Sequence, residues 1–145
     1  MNGNISPVPF VDKMPTGPTS RILQNQTFAR YVKLSFPGYR IFNFLEVQVF
    51  DASGTNLAFG SMASQSSTLS SCAASNAVDG ITGTHSICEG LAASAEENDP
   101  WWMVDLGMST EINKVVIWNR VNCCTERISN AAILLLDGDS NTVGQ

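Results

Sequence analysis

Apolar and polar residues alternate along several short segments of this chain, and a period of two is typical of strands with one buried face. Residues 31–36 follow this pattern and end at a Pro37-Gly38 turn, and residues 42–50 supply a second strand before a turn at residues 51–54. Residues 57–68 are small and rich in serine, which predicts short strands and loops. The first half of the chain is therefore expected to form strands.

The second half of the chain continues in the same way. Residues 76–83 predict a loop, and residues 102–106 alternate as a strand that Gly107 is expected to end. Residues 115–118 and 133–136 are apolar enough for largely buried strands. No stretch carries the apolar stripe of an amphipathic helix. Many short strands separated by turns predict an all-β fold, namely an antiparallel β-sandwich.

The two ends of the chain depart from this pattern. Residues 1–27 hold four of the six prolines and show little periodicity, so they are expected to form an extended, Pro-rich arm. At the other end, the strand at residues 133–136 enters a hairpin-type turn at residues 137–141 with a very short second arm. Because proteins normally cover an unpaired strand edge, either the chain is cut or another segment supplies the missing edge.

Composition narrows the classes of protein that fit. The 145 residues suit one domain, and 43% of them are hydrophobic, which is too many for intrinsic disorder. Lys and Arg number 8 against 13 Asp and Glu, and the scattered basic residues argue against nucleic acid as a partner. The longest uncharged apolar run, residues 131–136, is too short for a transmembrane segment. No signal peptide is visible.

The four cysteines indicate an oxidising location. Their even number in a small, loop-rich chain suggests disulfides, and glycosylation sequons begin at Asn4 and Asn25. The chain is therefore expected in an extracellular or other oxidising compartment, such as the secretory pathway or an organelle lumen.

The chain offers little for catalysis. It has one histidine, and it lacks zinc-type Cys/His spacing, a Gly-rich phosphate loop and a Ser-His-Asp set. Glu96, Glu97 and Asp99 form an acidic cluster, but acids in a Ser/Ala-rich loop usually form a solvated face. The protein is therefore not expected to be an enzyme.

Three motifs occur in a characteristic order: Asn76-Ala-Val-Asp-Gly80, Pro100-Trp-Trp-Met-Val-Asp-Leu-Gly107 and Trp118-Asn-Arg-Val-Asn-Cys-Cys-Thr-Glu-Arg127. Together they resemble the discoidin, or galactose-binding-domain-like, superfamily and specifically its fucose-binding branch, the F-type lectins. The second motif is shared across the superfamily, whereas the third is narrower and points to the lectins. The resemblance covers residues 28–145 and implies a jelly-roll β-sandwich.

The order of the strands differs from that of the family. Residues 28–53 resemble the family's last strands, yet they precede residues 54–145, which resemble its first part. Either one domain is circularly permuted, or the chain is cut from a tandem array. Permutation is favoured because the termini of sandwiches tend to lie close together and because residues 28–50 would supply the edge missing after residue 141.

The resemblance implies a shallow sugar pocket, in which a histidine and two arginines bind the sugar over a disulfide between adjacent cysteines. Arg120 and Arg127 match the two arginines, and Cys123 and Cys124 match the disulfide platform. Guanidinium groups suit this role because they offer a rigid fan of donors to hydroxyl oxygens. The alternative role for the arginines is a surface ion pair with Glu126 or Asp105.

Two positions depart from the lectin pattern. Asn122 stands where the family has an aspartate that orients the first arginine, although an amide oxygen can still accept. The family's histidine falls at Gly90, whereas the single histidine of this chain is His85. His85 is expected either to reach the pocket from a rearranged loop or to be an exposed loop residue.

The resemblance also implies a calcium site. Asn76 and Asp79 match the loop ligands, Ile81 matches a carbonyl ligand, and Glu46 matches an acid from the last strand. Calcium takes ~6–8 oxygen ligands, which such a loop can supply. The alternative is that Asp79 only caps a turn.

A further disulfide is implied beside this loop. The family joins the loop cysteine to a cysteine next to the glutamate, where this chain has Leu45. Cys88 is therefore expected to bond Cys72 instead.

Two functions fit the sequence. One is a calcium-assisted, carbohydrate-binding module for fucosylated glycans. The other is a non-catalytic structural or protein-interaction module, such as an accessory subunit, that keeps the sandwich with a degenerate sugar site and binds a protein partner. Because one fold hosts many functions, the choice depends on the site.

Overall fold

The structure, a computed structural model, describes residues 18–83, 88 and 90–145, with side chains from residue 27 onward. Within these residues, no helix is long and apolar enough to cross a membrane. The described residues form ten strands: β1 (Pro18–Ser35), β2 (Tyr39–Arg40), β3 (Asn43–Phe44), β4 (Glu46–Phe50), β5 (Met62–Gln65), β6 (Ala92–Ala93), β7 (Glu97–Asn98), β8 (Trp101–Trp118), β9 (Ala132–Leu136) and β10 (Thr142–Gly144). Two short 3-10 helices cover Ala74–Val78 and Thr125–Ile128.

The long strands β1 and β8 organise the main sheet. They pair antiparallel with each other over most of their length. The first part of β8 also pairs with β5, and its last part pairs with β4. On the other side, β1 pairs with β9, which pairs with β10. Two small antiparallel ladders, β2–β7 and β3–β6, complete the described strands.

The alternating residues of these strands bury one face in a single core. Trp102 and Val104 of β8 are buried together with Val32 and Leu34 of β1, while the residues between them remain more accessible. Phe36, Phe42 and Phe44 stack beside them, and Phe44 meets Trp102 edge-on. The predicted all-β, antiparallel sandwich is confirmed.

Strand β8 does not end at Gly107, contrary to the sequence-based expectation. Its partners shift from Tyr31 opposite Asp105 to Ala29 opposite Thr110, so residues 106–109 form a bulge. Gly107 lies in this bulge at φ +86°, a conformation that favours glycine. A glycine at a bulge bends a strand while pairing resumes beyond it, so one strand reaches Trp118.

The predicted boundary of the arm at residue 28 is also corrected. Strand β1 begins at Pro18, and residues 18–22 pair with residues 114–118 of β8. Residues 114–118 of β8 pair with β4 on one side and with residues 18–22 on the other. Because backbone hydrogen bonds form this pairing, residues 18–22 can form a strand without alternating apolar and polar side chains. The remainder of the predicted arm, residues 1–17, lies outside the described residues.

The N-terminal strands complete the sheet of the same chain. Strands β1 and β4 both pair with β8, and β1 also covers the inner edge of β9. The predicted strand at residues 42–50 is divided into β3 and β4, because β3 pairs with β6 and β4 pairs with β8. The N-terminal strands therefore belong to the same sheet as the strands of the second half of the chain.

Candidate functional site

The segment after β8, residues 119–128, contains both candidate arginines and is called the arginine loop here. At its start, the buried Asn119 donates from Nδ2 to the Thr125 carbonyl at 3.0 Å. At its end, Arg40 of β2 donates from Nη2 to the Arg127 carbonyl at 2.7 Å, and Ile128 is fully buried. One hydrogen bond within the loop and one from β2 therefore hold it in place.

Arg120 is oriented by Asn122, as the amide oxygen at that position allows. Its Nε donates to Asn122 Oδ1 at 2.7 Å, which uses one of the five N–H donors of the guanidinium. Asp105 is not a partner of Arg120, because Asp105 accepts from Nε and Nη2 of Arg30 at 2.9 and 3.0 Å. The hydrogen bonds of Asp105 to Arg30 hold the pKa of that carboxyl below its usual range.

The adjacent cysteines of the arginine loop form a disulfide. Cys123 is exposed and Cys124 is half-buried, so part of this apolar group faces solvent. Cys124 has a left-handed backbone at φ 56°, immediately before the 3-10 helix that carries Arg127. The disulfide thus lies between the two arginines along an ordered loop.

An open cleft of about 360 Å³ adjoins the arginine loop. Its lining combines apolar and charged side chains from β2, from the segment before β7 and from the loop itself: Pro37, Tyr39, Arg40, Ile41, Glu96, Glu126 and Arg127.

A second group of candidate residues surrounds Glu46, which is fully buried. Its Oε1 accepts the Gly80 N–H at 2.9 Å, while its buried Oε2 has no hydrogen-bond partner among the described residues. Burial raises the pKa of Glu46 to about 7, and the nearby Asp79 carboxylate adds to the shift. Asp79 in turn accepts the Ile81 N–H at 2.8 Å. The carboxylates of Glu46 and Asp79 therefore lie near each other, beside the loop that follows the 3-10 helix Ala74–Val78.

Gly80 is required where the loop meets Glu46. Its φ is +81°, and a Cβ there would lie 2.8 Å from a ring carbon of Phe59. Both the conformation and the close approach exclude a larger residue. This glycine lets the backbone N–H point at the buried carboxylate.

Asn76 has a structural part in the same loop. Its Nδ2 donates to the carbonyls of Leu91, Ser71 and Cys88 at 2.9, 3.3 and 3.4 Å. Cys88 also forms a disulfide with Cys72, which is the pairing expected from the sequence. These hydrogen bonds use only the amide nitrogen of Asn76, whereas the atom by which an amide binds a cation is its oxygen.

The donor set near Glu46 suits a hard cation. Among the described residues, no three His, Cys, Asp or Glu side chains come together. A metal bound here would therefore combine the two carboxylates with amide and backbone carbonyl oxygens, which are the ligands that Ca²⁺ prefers. The orphaned Oε2 of Glu46 agrees with such a group.

The structure thus gathers the predicted residues into two separate groups. One group is the arginine loop, and the other surrounds Glu46. His85 lies outside the described residues. Sequence reasoning missed Arg40 and Asn119, which hold the arginine loop. No sequence signal could have revealed Arg40, because 87 residues separate it from the carbonyl that it binds.

Comparison with known proteins agrees with the fold. Residues 76–144 match the family model of the NedA-like, galactose-binding domain. Together with the antiparallel β-sandwich, this match shows that residues 76–144 are similar to galactose-binding domains.

Among individual proteins, part of this chain is similar to fucolectins of the genus Anguilla. Fucolectin-4 of Anguilla japonica is 45% identical over 62 residues, which cover 43% of this chain and 34% of the relative. Fucolectin of Anguilla anguilla is 43% identical over 60 residues, which cover 41% and 38%, respectively. The chain spans about a third of the length of the curated relatives that it matches.

Proposed function

We propose that this chain is a non-catalytic, lectin-like module that binds fucosylated glycans through the arginine loop. The observation that carries the proposal is a partly exposed disulfide that lies between Arg120 and Arg127 in the sequence, in a loop held by Asn119 and Arg40. The names of the similar fucolectins support fucose as the sugar.

The chemistry of the loop suits a sugar. Guanidinium groups donate several hydrogen bonds in a fixed plane to hydroxyl and ring oxygens, and the disulfide offers an apolar surface to the C–H face of the ring. Because Asn119 and Arg40 already order the loop, binding has less conformational entropy to overcome.

Arg120→Ala is expected to weaken binding of methyl α-L-fucoside about 30-fold, since hydrogen bonds to a charged group contribute ~1.5–3 kcal/mol. Titration by NMR would measure this. Arg30→Ala is the matched control, because Arg30 pairs with Asp105 rather than with the loop. A folded protein that binds no fucosylated glycan would contradict the proposal. A stoichiometric protein complex insensitive to free fucose would instead favour the interaction module.

Calcium is proposed to assist by binding near Glu46. The carboxylates of Glu46 and Asp79, with carbonyl oxygens at Asn76 and Ile81, would hold the ion. The ion would neutralise a carboxylate that is buried beside a second one. It would thereby stabilise the segment closed by the Cys72–Cys88 disulfide, which lies before β6.

Removal of calcium by a chelator is expected to lower the Tm of the wild-type protein. An ion present at 100 times its Kd stabilises the folded state by about 2.7 kcal/mol. Glu46→Gln is expected to abolish most of this calcium-dependent shift. Glu97→Gln should retain it, because the Glu97 carboxylate accepts from Ser66 and Ser67. Equal Tm values of the wild type with and without chelator would refute the calcium site.

An oxidising location is proposed because of the two disulfides. Both disulfides of the described region need an environment in which they form and persist. Extracellular space or the lumen of the secretory pathway meets this need.

A further inference from the structure

The two disulfides of the described region differ in their access to solvent. Cys72 and Cys88 are only 1% and 6% exposed, so the protein shields their bond. Cys123 is exposed and Cys124 is half-buried. Because a thiolate must reach a disulfide sulfur in order to attack it, exposed disulfides are the labile ones. The Cys123–Cys124 bond is therefore open to reductants that do not reach the Cys72–Cys88 bond.

The bond between the adjacent cysteines also restricts the backbone. Cys124 has φ 56° and ψ 35°, in the left-handed region that residues with a Cβ disfavour. The disulfide closes a small ring that contains the peptide bond between Cys123 and Cys124, so it limits the backbone angles of both residues. Reduction opens this ring. Cys124 then gains access to the right-handed and extended regions, which an unbridged cysteine prefers.

The position of Arg127 depends on the backbone of Cys124. The Cys124 carbonyl accepts the Arg127 N–H at 3.2 Å, at the start of the 3-10 helix Thr125–Ile128. A change in the ψ angle of Cys124 rotates this carbonyl, so the hydrogen bond is lost when Cys124 leaves the left-handed region. Arg127 then loses the contact that fixes its amide relative to the disulfide. The state of the disulfide therefore affects how Arg127 is placed in the arginine loop.

We propose that the Cys123–Cys124 bond is a site of reversible reduction by dithiols, and that its reduction weakens sugar binding by the arginine loop. The inference rests on the proposed function, because the arginine loop is the proposed fucose site. The oxidised loop offers a bridged apolar surface and a fixed Arg127, whereas the reduced loop offers two separate thiols and an Arg127 that has lost one contact. Sugar binding by this chain would thereby follow the redox state of its surroundings.

The chemical step is thiol–disulfide exchange. A thiolate of the dithiol attacks one sulfur of the bond, the S–S bond breaks, and the other sulfur leaves as a thiolate and takes up a proton. The second thiol of the reagent then attacks the mixed disulfide and releases the remaining cysteine. The two cysteines gain two electrons and two protons in total, and the dithiol loses the same number as it becomes a cyclic disulfide.

The test measures the selectivity of reduction and the binding of sugar on the same samples. Folded wild-type protein would be incubated with dithiothreitol, and an aliquot would be alkylated with iodoacetamide and analysed by peptide mass spectrometry. We expect alkylation of Cys123 and Cys124 under conditions that leave Cys72 and Cys88 bridged. NMR titration with methyl α-L-fucoside would give the Kd of the oxidised, the selectively reduced and the reoxidised protein.

Selective reduction is expected to weaken fucose binding about 10-fold, as the loss of one hydrogen bond to a charged group can do. The backbone amide signal of Arg127 should shift at the same time, and reoxidation should restore both. Cys123→Ala/Cys124→Ala is the matched control, because it lacks the bond. Its Kd should be close to that of the reduced wild type and should not change with dithiothreitol.

Two results would overturn the switch while leaving the fucose site intact. One is reduction of the Cys72–Cys88 bond as readily as of the Cys123–Cys124 bond, and the other is an unchanged Kd after selective reduction. Absence of fucose binding to the folded, oxidised wild type would overturn the fucose site together with the switch.

Discussion

Trp102→Ala is expected to lower the free energy of unfolding by about 3–5 kcal/mol, the range for removing a large aromatic side chain from a core. Trp102 is fully buried, and its ring meets Phe44 edge-on at 5.5 Å. Its Nε1 also donates to the Ala74 carbonyl at 3.1 Å, so the substitution leaves that acceptor without its partner. Urea unfolding followed by far-UV circular dichroism would measure the loss.

Trp101→Ala is the matched control. Trp101 is adjacent in the chain, but it points to the other face of β8, is half-buried and packs under the Lys33 ammonium at 5.1 Å. Its loss is expected to cost about 1 kcal/mol or less, the size of an exposed cation–π contact. Similar losses for the two tryptophans would contradict the assignment of Trp102 to the core face.

Replacing Cys72 and Cys88 together with alanine is expected to destabilise the protein by about 3 kcal/mol. The bond closes a loop with a sequence separation of 16, and loops of this length restrict the unfolded chain by about that amount. Thermal unfolding of the oxidised proteins would measure the effect as a lower Tm.

The second disulfide provides the control for this prediction. Cys123 and Cys124 are adjacent, so their bond closes no loop of the unfolded chain. The Cys123→Ala/Cys124→Ala variant should therefore keep a Tm close to that of the wild type. If it lost as much stability as the Cys72/Cys88 variant, loop closure would not be the source of the stabilisation.

The all-β fold was predictable because its main signal is local. Alternation in residues 31–36 and 102–106 marks a buried face on each strand, and the structure buries the predicted side chains. The lengths of the strands were harder to predict from the sequence. Whether Gly107 ends a strand or bends it depends on whether a partner continues past it, which residues 18–29 of β1 do.

The candidate site divides in the same way. The spacing of Arg120 and Arg127 around two cysteines is visible in the sequence, and so is the acid at Glu46. The burial of Glu46 and its unpartnered Oε2 are not visible in the sequence. They arise only when β4 pairs with β8 and the Gly80 N–H donates to the carboxylate.

By itself, the sequence determined the class of fold, the chemistry of the arginine loop and the cysteines available for bonding, since each depends on residue type and short spacing. The tertiary structure alone decided that β1 and β4 complete the sheet of this chain and that Arg40 holds the Arg127 carbonyl. It also placed Tyr39 and Glu96 in one cleft. The physical reason is that these contacts join residues far apart in the chain, and no local pattern encodes which strand edges or carbonyls will meet.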